Sequence, residues 1–347
     1  MSGKGRDPGV QFGILLPTRG VLFAPGGPDV TPIYRMAQRA EAAGYHSVWV
    51  GDSVTAKPRL DAVSTLAAVA SRTSRVRLGT AVMLAALRHP VMLAHQIASL
   101  DVLAGGRLIW GVGAGRGGRA LLENEFAACG VPMHERAQRL EETLEICRLL
   151  WSGKPASYSG QHYRLHDVTL EPVPIQKPGV PIWIASNLVE RGLKRVAELA
   201  DTWITNVTTL DVYRQCWEKI GTYARAAGRD RAMIGQCLYM TINVQPDGEA
   251  GRREGRTFLE NYYKKSADEV MADMVCHFGA PAECAERISG YVRLGVRTVI
   301  LRFATPSQLD QLALATEELL PLFGQGRVRD KRAPGGVRPK GKKGGRR

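Results

Sequence analysis

The sequence predicts a single α/β domain folded as a (β/α)8 TIM barrel, and three observations indicate it. Eight short apolar runs alternate with longer segments in which apolar residues recur at helical spacing. The runs are nearly continuous, as the strands of a parallel sheet are when helices cover it. A chain of 347 residues with 44% hydrophobic content supplies enough core for such a domain. A doubly wound open sheet shows the same alternation, so periodicity alone leaves both architectures possible.

The strands and helices can be placed in order along the chain. Thr31 is expected to cap the first helix, with Pro32 at its first position and Gly44 at its end. Thr305 and Pro306 start the closing helix, which runs to about Phe323. The predicted strands are residues 10–16, 47–50, 76–82, 108–112, 181–185, 202–205, 236–244 and 298–303.

Two segments interrupt the alternation. Residues 154–174 contain a predicted hairpin that turns at Ser159 and Gly160. Residues from about 245 to 278 are charged and longer than a plain crossover needs. Insertions that follow barrel strands become loops or lids over the active face, so we expect both at the C-terminal face of the barrel.

The formal charge of +14 lies mostly at the C-terminus. Residues 326–347 hold ten Lys or Arg and one Asp, which leaves +5 on the rest of the chain. Their many glycines and prolines and few apolar residues predict a disordered basic tail. We therefore expect a flexible N-terminus at residues 1–9, the barrel domain at 10–325 and the tail at 326–347. Weak binding to polyanions stays open, but no specific nucleic-acid site is predicted.

Cysteine usage and hydropathy limit the class of protein further. The six cysteines form no C-x-x-C pair, which indicates reduced thiols in a cytoplasmic protein and no zinc site. The sequence contains no run of about 18 apolar residues, so it predicts no membrane span. No metal-ligand spacing, nucleophile motif or acid/base cluster is evident. This pattern suits an enzyme whose bound cofactor carries the reactive atom.

The run from Arg107 to Gly118 reads as a buried strand that enters a glycine-rich turn. Gly113, Gly115 and Gly118 match G-x-G-x-x-G, the phosphate-binding fingerprint of NAD(P)-dependent Rossmann dehydrogenases. That fingerprint should open a helix directly, whereas residues 116–119 are polar or glycine. We therefore favour a turn at a barrel mouth and keep the Rossmann dehydrogenase as the alternative.

Polar residues at the carboxyl ends of the strands are the candidate site. Asp52 could hold a ligand or act as an acid/base, although the local sequence taken alone favours an Asx-turn. Ser186 and Asn187 precede a helix and could bind a phosphate or simply cap the helix, at even odds. Arg116 could attract an anion or be solvated, and a solvated face is the simpler interpretation of Glu141 and Glu142.

Several separated motifs agree in order and spacing with one family. These motifs are YHSVWVGD at 45–52, LGTAV at 78–82, RHP at 88–90, AHQ at 94–96, GR at 106–107, GVGAG at 111–115, ER at 135–136, LLWSG at 149–153, YSG at 158–160, PIWIA at 181–185 and ADTW at 200–203. Through them the chain resembles the bacterial luciferase-like monooxygenases over about residues 10–325.

The resemblance implies a TIM barrel that binds reduced FMN or the deazaflavin coenzyme F420. The ring would lie in the barrel mouth between the ends of strands 3 and 4, with a nonprolyl cis peptide near Ala81 and Val82. The phosphate would lie at Ser186, Asn187 and neighbouring N–H groups. The expected cofactor-binding residues are Asp52, Ala81, Val82, Leu84, Gly113, Gly115, Ser186, Asn187 and Leu188, and the expected catalytic residues are Asp52, Ser53 and Arg116.

The chain departs from the family pattern at three places. Ser53 stands where many members have a histidine, and a hydroxyl cannot replace imidazole as an acid/base near neutral pH. Arg116 and Arg119 stand where the deazaflavin sugar-phosphate dehydrogenases carry a glutamate and an asparagine, which argues against that activity. Ala114 replaces the arginine that binds the FMN phosphate in light-emitting luciferases.

The expected function is therefore a cytoplasmic luciferase-like oxidoreductase that acts on a small organic substrate. With FMN, a separate reductase would supply the reduced flavin for oxygenation; with F420, the reaction would be hydride transfer. The resemblance also implies a homodimer. The alternatives are the Rossmann dehydrogenase, a barrel that only binds the cofactor, and a polyanion-binding protein led by the basic tail.

Overall fold

The computed structural model describes residues 9–116 and 119–325, without the side chain of Arg119. The N-terminal segment at 1–8, the basic tail at 326–347, Gly118 and the Arg119 side chain, on which several expectations rest, lie outside this description. The strands are β1 (Gln11–Leu15), β2 (Ser47–Val50), β3 (Arg77–Thr80), β4 (Leu108–Val112), β5 (Ala156–Ser159), β6 (Arg164–Val168), β7 (Ile182–Ala185), β8 (Thr202–Thr205), β9 (Gly235–Val244), β10 (Cys276–Gly279) and β11 (Thr298–Phe303).

Eight of these strands form a closed parallel ring in the order β1, β2, β3, β4, β7, β8, β9, β11. The ring closes because β11 pairs with β1, Gly13 lying opposite Ile300, and because β8 pairs with β9, Thr202 lying opposite Gly235. The predicted (β/α)8 barrel is confirmed. The Rossmann alternative is wrong, since it requires an open sheet.

Helices surround the ring and bury their apolar stripes against it. After the last α-helix, which ends at Leu314, the chain forms one π turn, Ala315–Leu319, and a 3-10 turn, Leu320–Phe323. The α-helices are α1 (Thr31–Ala42), α2 (Ala62–Ala70), α3 (Pro90–Leu103), α4 (Arg119–Ala128), α5 (Arg136–Leu150), α6 (Glu190–Leu199), α7 (Leu210–Ala226), α8 (Gly248–Tyr263), α9 (Ala267–Asp273), α10 (Pro281–Arg293) and α11 (Gln308–Leu314). Within the described ranges, no helix has the length and apolar content needed to cross a bilayer.

A compact apolar cluster fills the barrel interior, separate from the core between strands and helices. Its members are Trp49, Ile109, Trp183, Ile204, Cys237 and Ile300. Trp49 needs a glycine on the next strand, because a Cβ on Gly79 would lie 2.2 Å from the indole ring. The Trp49 indole N–H donates to Ser47 Oγ at 2.8 Å. This packing fills the barrel interior below the C-terminal rim.

Both insertions occupy the predicted segments of the sequence, but the first follows α5 and not a barrel strand, so the rule that places insertions after barrel strands at the C-terminal face does not apply to it. The first is the antiparallel hairpin of β5 and β6, in which the Gly160 N–H donates to the Tyr163 carbonyl. The expectation of a solvated Glu142 is wrong: the side chain is buried and accepts N–H groups of the hairpin turn. The second insertion holds α8, α9 and β10, and β10 extends the sheet beside the C-terminal half of β9.

The start of α1 differs from the sequence expectation by one residue. Thr31 is the first helical residue rather than the cap, and its N–H donates to Asp29 Oδ1 at 2.9 Å. The helix ends as predicted, with Gly44 in the left-handed region at φ +82°.

Glu41 at the end of α1 supports the loop that enters β3. Its carboxylate accepts the N–H groups of Ser74, Arg75 and Val76 at 2.7 to 2.9 Å. Burial opposes ionisation, but these bonds outweigh it and lower the pKa of Glu41 to about 2. The carboxylate is therefore a fixed acceptor for three otherwise unpaired donors.

We predict that Glu41→Gln lowers the free energy of unfolding by about 1–2 kcal/mol at pH 7, because an ionised acceptor is lost. The folded pKa lies below the unfolded value, so the ionised group stabilises the fold above about pH 4.5, and this contribution disappears as pH falls towards 2. Urea unfolding across this range measures the difference. The exposed Glu318→Gln is the control, and an E41Q penalty that persists at pH 2 would contradict the account.

Candidate active site

A cavity of about 810 Å³ opens at the carboxyl ends of the barrel strands. Its size is typical of a pocket for a small organic ligand or cofactor. The structure brings all the residues predicted for the site to this one cavity. They are Asp52, Ser53, Ala81, Val82, Leu84, Gly113, Gly115, Arg116, Ser186, Asn187 and Leu188.

One wall of the cavity is formed by small residues at the ends of β3 and β4, among them Ala81, Gly113 and Gly115. The peptide between Ala81 and Val82 is cis, as the family resemblance implies. A Cβ on Gly113 would lie 2.8 Å from Val82 Cγ2, and Gly115 has φ +91°. Because neither glycine adds a side chain, the surface of this wall is formed by small residues and by Val82, which packs on Gly113.

Asp52 is held in a bidentate ion pair rather than presented as a free acid/base. Its two carboxylate oxygens lie 2.7 and 2.8 Å from Arg88 nitrogens, and the Leu84 N–H donates to it at 2.9 Å. Its side chain is only 2% exposed. The favoured local Asx-turn is wrong, since these partners lie 32 and 36 residues away. This geometry indicates that Asp52 fixes the segment after β3. A catalytic role for Asp52 stays a prediction.

Ser53 is engaged by Glu125, a residue that the sequence analysis missed. The Ser53 hydroxyl donates to Glu125 at 2.7 Å and accepts the Lys57 N–H at 2.9 Å. Glu125 also accepts the N–H groups of residues 54–56. Burial raises the pKa of Glu125, but these bonds outweigh it and hold that pKa below its usual range. Glu125 thus orders the loop after β2, and the catalytic prediction for Ser53 gains no support.

Ser186 and Asn187 lie at the start of α6. Asn187 does not cap this helix: Val189 is the N-cap residue and makes no side-chain cap bond. The Asn187 amide instead lies 3.0 Å from Thr205 Oγ1 and 2.8 Å from Asn206 Oδ1, which ties it to the end of β8. The first N–H groups of α6 have no intrahelical acceptor. Val189, Arg191 and Gly192 at this helix start line the same end of the cavity as Ser186 and Leu188.

Three arginines surround the start of α6. Arg191 and Arg195 each approach Glu141 to 2.8 Å, so the expectation of a solvated Glu141 is wrong. Arg136 lines the same end of the cavity, and its buried Nε has no acceptor among the described residues. Glu190, in the first turn of α6, is paired with Lys194 at 3.2 Å. The three arginines outnumber the remaining carboxylate, Glu141, so this end is electropositive.

Arg116 lies at the rim, where it bridges two segments of the cavity wall. It donates to Asn206 Oδ1 at 3.1 Å and to the Asp273 carbonyl at 2.6 Å. Its side chain is half exposed. Arg116 therefore fastens the β4 turn to the end of α9, and its predicted catalytic role stays a prediction.

Comparison with known proteins places this barrel in a family. A model of the luciferase-like monooxygenase family matches residues 10–298. The F420-dependent glucose-6-phosphate dehydrogenase of Kineococcus radiotolerans is 29% identical over 328 residues, which cover 87% of this chain and 94% of the relative. The flavin-dependent trigonelline monooxygenase oxygenase component of Acinetobacter baylyi is 31% identical over 157 residues, 44% of this chain and 41% of the relative.

A solved structure agrees over nearly the whole fold. The monooxygenase RslO1 from Streptomyces bottropensis has a TM-score of 0.74 and 25% identity, with 90% of this chain and 99% of that chain covered. The chain belongs to the luciferase-like monooxygenase family, as its motifs indicated. It is an oxidoreductase of this class, whose relatives depend on flavin or on coenzyme F420.

We predict that Asp52→Asn destabilises the protein by about 1–3 kcal/mol, because it removes the buried partner of Arg88 and leaves only the half-exposed Asp61 at 3.6 Å. The double variant Asp52→Asn/Arg88→Gln removes the incompletely paired charge and should recover part of that loss. Urea unfolding of the wild type, the two single variants and the double variant measures the coupling. Unchanged stability of Asp52→Asn together with lost turnover would instead favour the catalytic role predicted from sequence.

Proposed function

We propose that this protein binds coenzyme F420 in the barrel mouth and transfers hydride between it and a small organic substrate. One observation carries the proposal: a single cavity joins a wall of small residues at β3 and β4 to an electropositive helix start at α6. The first feature fits a planar ring, and the second fits a phosphate. The two lie on neighbouring parts of the strand ring, because β4 pairs directly with β7.

The start of α6 has the features expected of a site for the cofactor phosphate. Free N–H groups and the positive end of the α6 dipole favour an anion beside Ser186 and Leu188. Gly192 lets the Ser186 hydroxyl lie against the start of α6, because a Cβ there would lie 2.3 Å from Ser186 Oγ. The unpaired Nε of Arg136 supplies a buried donor to the same corner.

Two observations favour F420 over FMN. The curated F420-dependent relatives match most of this chain, whereas the flavin-dependent relative matches 44% of it. F420 also carries acidic groups beyond its phosphate, and the cavity holds Arg116, Arg136, Arg191 and Arg195 on this side. We infer that these arginines attract the cofactor tail.

FMN is the second candidate, favoured by the likeness to the monooxygenase RslO1. With FMN, the reaction would be oxygenation of an organic substrate, and a separate flavin reductase would be the partner. We place neither glucose 6-phosphate nor another sugar phosphate in the site, because Arg116 stands where the sugar-phosphate dehydrogenases carry a glutamate.

The bound cofactor would supply the reacting ring and the electrons. The chain positions that ring and keeps water from it. Leu15, Val82 and Tyr239 line the cavity beside the ring position, and the Asp52–Arg88 pair fixes the main chain at Leu84. The oxygens of Asp52 and Ser53 already have partners, so both residues act here by holding the wall.

Two further expectations from the sequence are retained as proposals. We propose a homodimer, in which a second copy covers apolar side chains of α3; Met92 and Leu103 are 60% and 67% exposed. A cytoplasmic location, expected from the scattered cysteines, also stays a proposal.

We predict that Arg136→Gln weakens F420 binding about tenfold, or about 1.4 kcal/mol, because a charged donor to the phosphate is lost. Fluorescence titration with F420 and with FMN, each oxidised and reduced, measures the dissociation constants. Arg225→Gln, on the exposed face of α7 and outside the cavity, is the matched control. Tighter binding of FMN than of F420 would move the assignment to the second candidate. If the wild type binds neither cofactor with a dissociation constant below about 100 μM, the proposed function is contradicted.

A further inference from the structure

A second group of cations lies on the side of the cavity away from α6. It consists of Arg19, Lys57, Arg59 and Arg302 together with Tyr262 and Tyr263, and we call it the Arg–Tyr cluster. All of its members except Arg19 line the cavity. Arg19 and the Lys57–Arg59 segment follow β1 and β2, Arg302 lies near the end of β11, and both tyrosines end α8. Sequence analysis missed the cluster, because its members come from four distant segments.

Arg302 is at the centre of the cluster. It is 5% exposed, and its guanidinium lies 4.2 Å from the Tyr262 ring and 5.2 Å from the Tyr263 ring. One nitrogen donates to the Tyr263 hydroxyl, whereas the buried Nη2 has no acceptor among the described residues. A buried guanidinium with an unused donor is costly unless a ligand or another acceptor pairs with it.

The other cations of the cluster also lack a carboxylate partner. Arg59 donates to the Lys57 carbonyl at 3.2 Å and to the Tyr262 hydroxyl at 3.4 Å, and Arg19 stacks over the Tyr262 ring at 4.4 Å. No ion pair in the described ranges includes any of the four cations. Although burial raises the pKa of Tyr262, the four cations outweigh it and lower that pKa. The cluster therefore has a positive potential that no described acidic side chain neutralises.

The cluster lies across the barrel mouth from the proposed phosphate site. In the closed ring, β7 stands four strands from β1, so α6 and the end of β1 are on opposite sides of the mouth. The cavity is lined by both Ser186 and Arg302, and a ligand in it can reach either side. A cofactor anchored at α6 leaves the cluster facing the substrate.

We propose that the Arg–Tyr cluster binds an oxyanion, carboxylate or phosphate, carried by the organic substrate. The assignment of this anion to the substrate rests on the proposed function, whereas the anion site itself does not depend on it. Arg302 and Arg59 donate to the anion, Lys57 and Arg19 add charge, and the rings of Tyr262 and Tyr263 cover the organic part. Two other assignments are outcomes of the test: fastening of α8 to the barrel, and binding of the cofactor tail.

Calorimetry with benzoate and phenyl phosphate as probes, and benzamide as the uncharged comparator, tests the proposal on protein without added cofactor. We expect the wild type to bind at least one anion and to bind benzamide at least tenfold more weakly. Arg302→Gln should lower anion affinity tenfold or more. Because this variant alters a buried residue, Lys57→Gln/Arg59→Gln provides an independent test and should also lose affinity at least tenfold. Arg293→Gln, an exposed arginine of α10 outside the cavity, should bind as the wild type does.

Three results would overturn the inference. They are no anion binding by the wild type, equal affinity for benzamide and for the anion that binds, or unchanged anion affinity in Lys57→Gln/Arg59→Gln. F420 titration of the same variants distinguishes the other assignments. Lost F420 affinity with unchanged anion affinity would assign the cluster to the cofactor tail, and a lowered unfolding midpoint as the only effect would assign it to holding α8. If the wild type binds the anion through the cluster but binds neither F420 nor FMN, the proposed function fails and the anion site stands.

Discussion

Closure of the eight-stranded ring around a packed interior is the constraint on which the site depends. Trp49 fills the space that Gly79 leaves on the next strand, and the indole N–H is satisfied by Ser47. The interior is therefore closed to ligands, as it is in a barrel whose side chains pack in layers. The carboxyl ends of strands that are far apart in the sequence meet at the C-terminal rim. Every residue of the candidate site reaches its position through this closure.

Charges at the rim fall into two groups that differ in whether the protein neutralises them. Asp52 with Arg88, and Glu125 with the loop after β2, are fully partnered, so they stabilise the walls. Arg136 and Arg302 each keep a buried nitrogen without an acceptor in the described part of the chain. Because an unpaired buried donor costs free energy, we interpret these two as the places where ligand oxygens bind. They lie at opposite sides of the mouth, which suits a phosphate at one side and a substrate anion at the other.

Local pattern was enough to predict most of the fold. The predicted strands at 47–50, 108–112, 202–205 and 298–303 have the observed bounds, since each is a short apolar run between turn residues. The site positions followed from the rule that barrel enzymes use strand ends, together with the family motifs. Residue roles were not predictable, because they depend on partners far along the chain: Asp52 pairs with Arg88, and Ser53 with Glu125, 72 residues away. Strand β10 was missed since its four residues carry no strong strand signal inside a charged insertion.

The position of the cofactor phosphate tests the central claim most directly. A crystal structure of the protein grown with F420 would locate that phosphate without relying on turnover. The account predicts phosphate oxygens within hydrogen-bond distance of the first N–H groups of α6, with the ring against the backbone of Val82 and Gly113. A phosphate bound by Arg302 and Arg59 instead, with the ring away from β3 and β4, would contradict it.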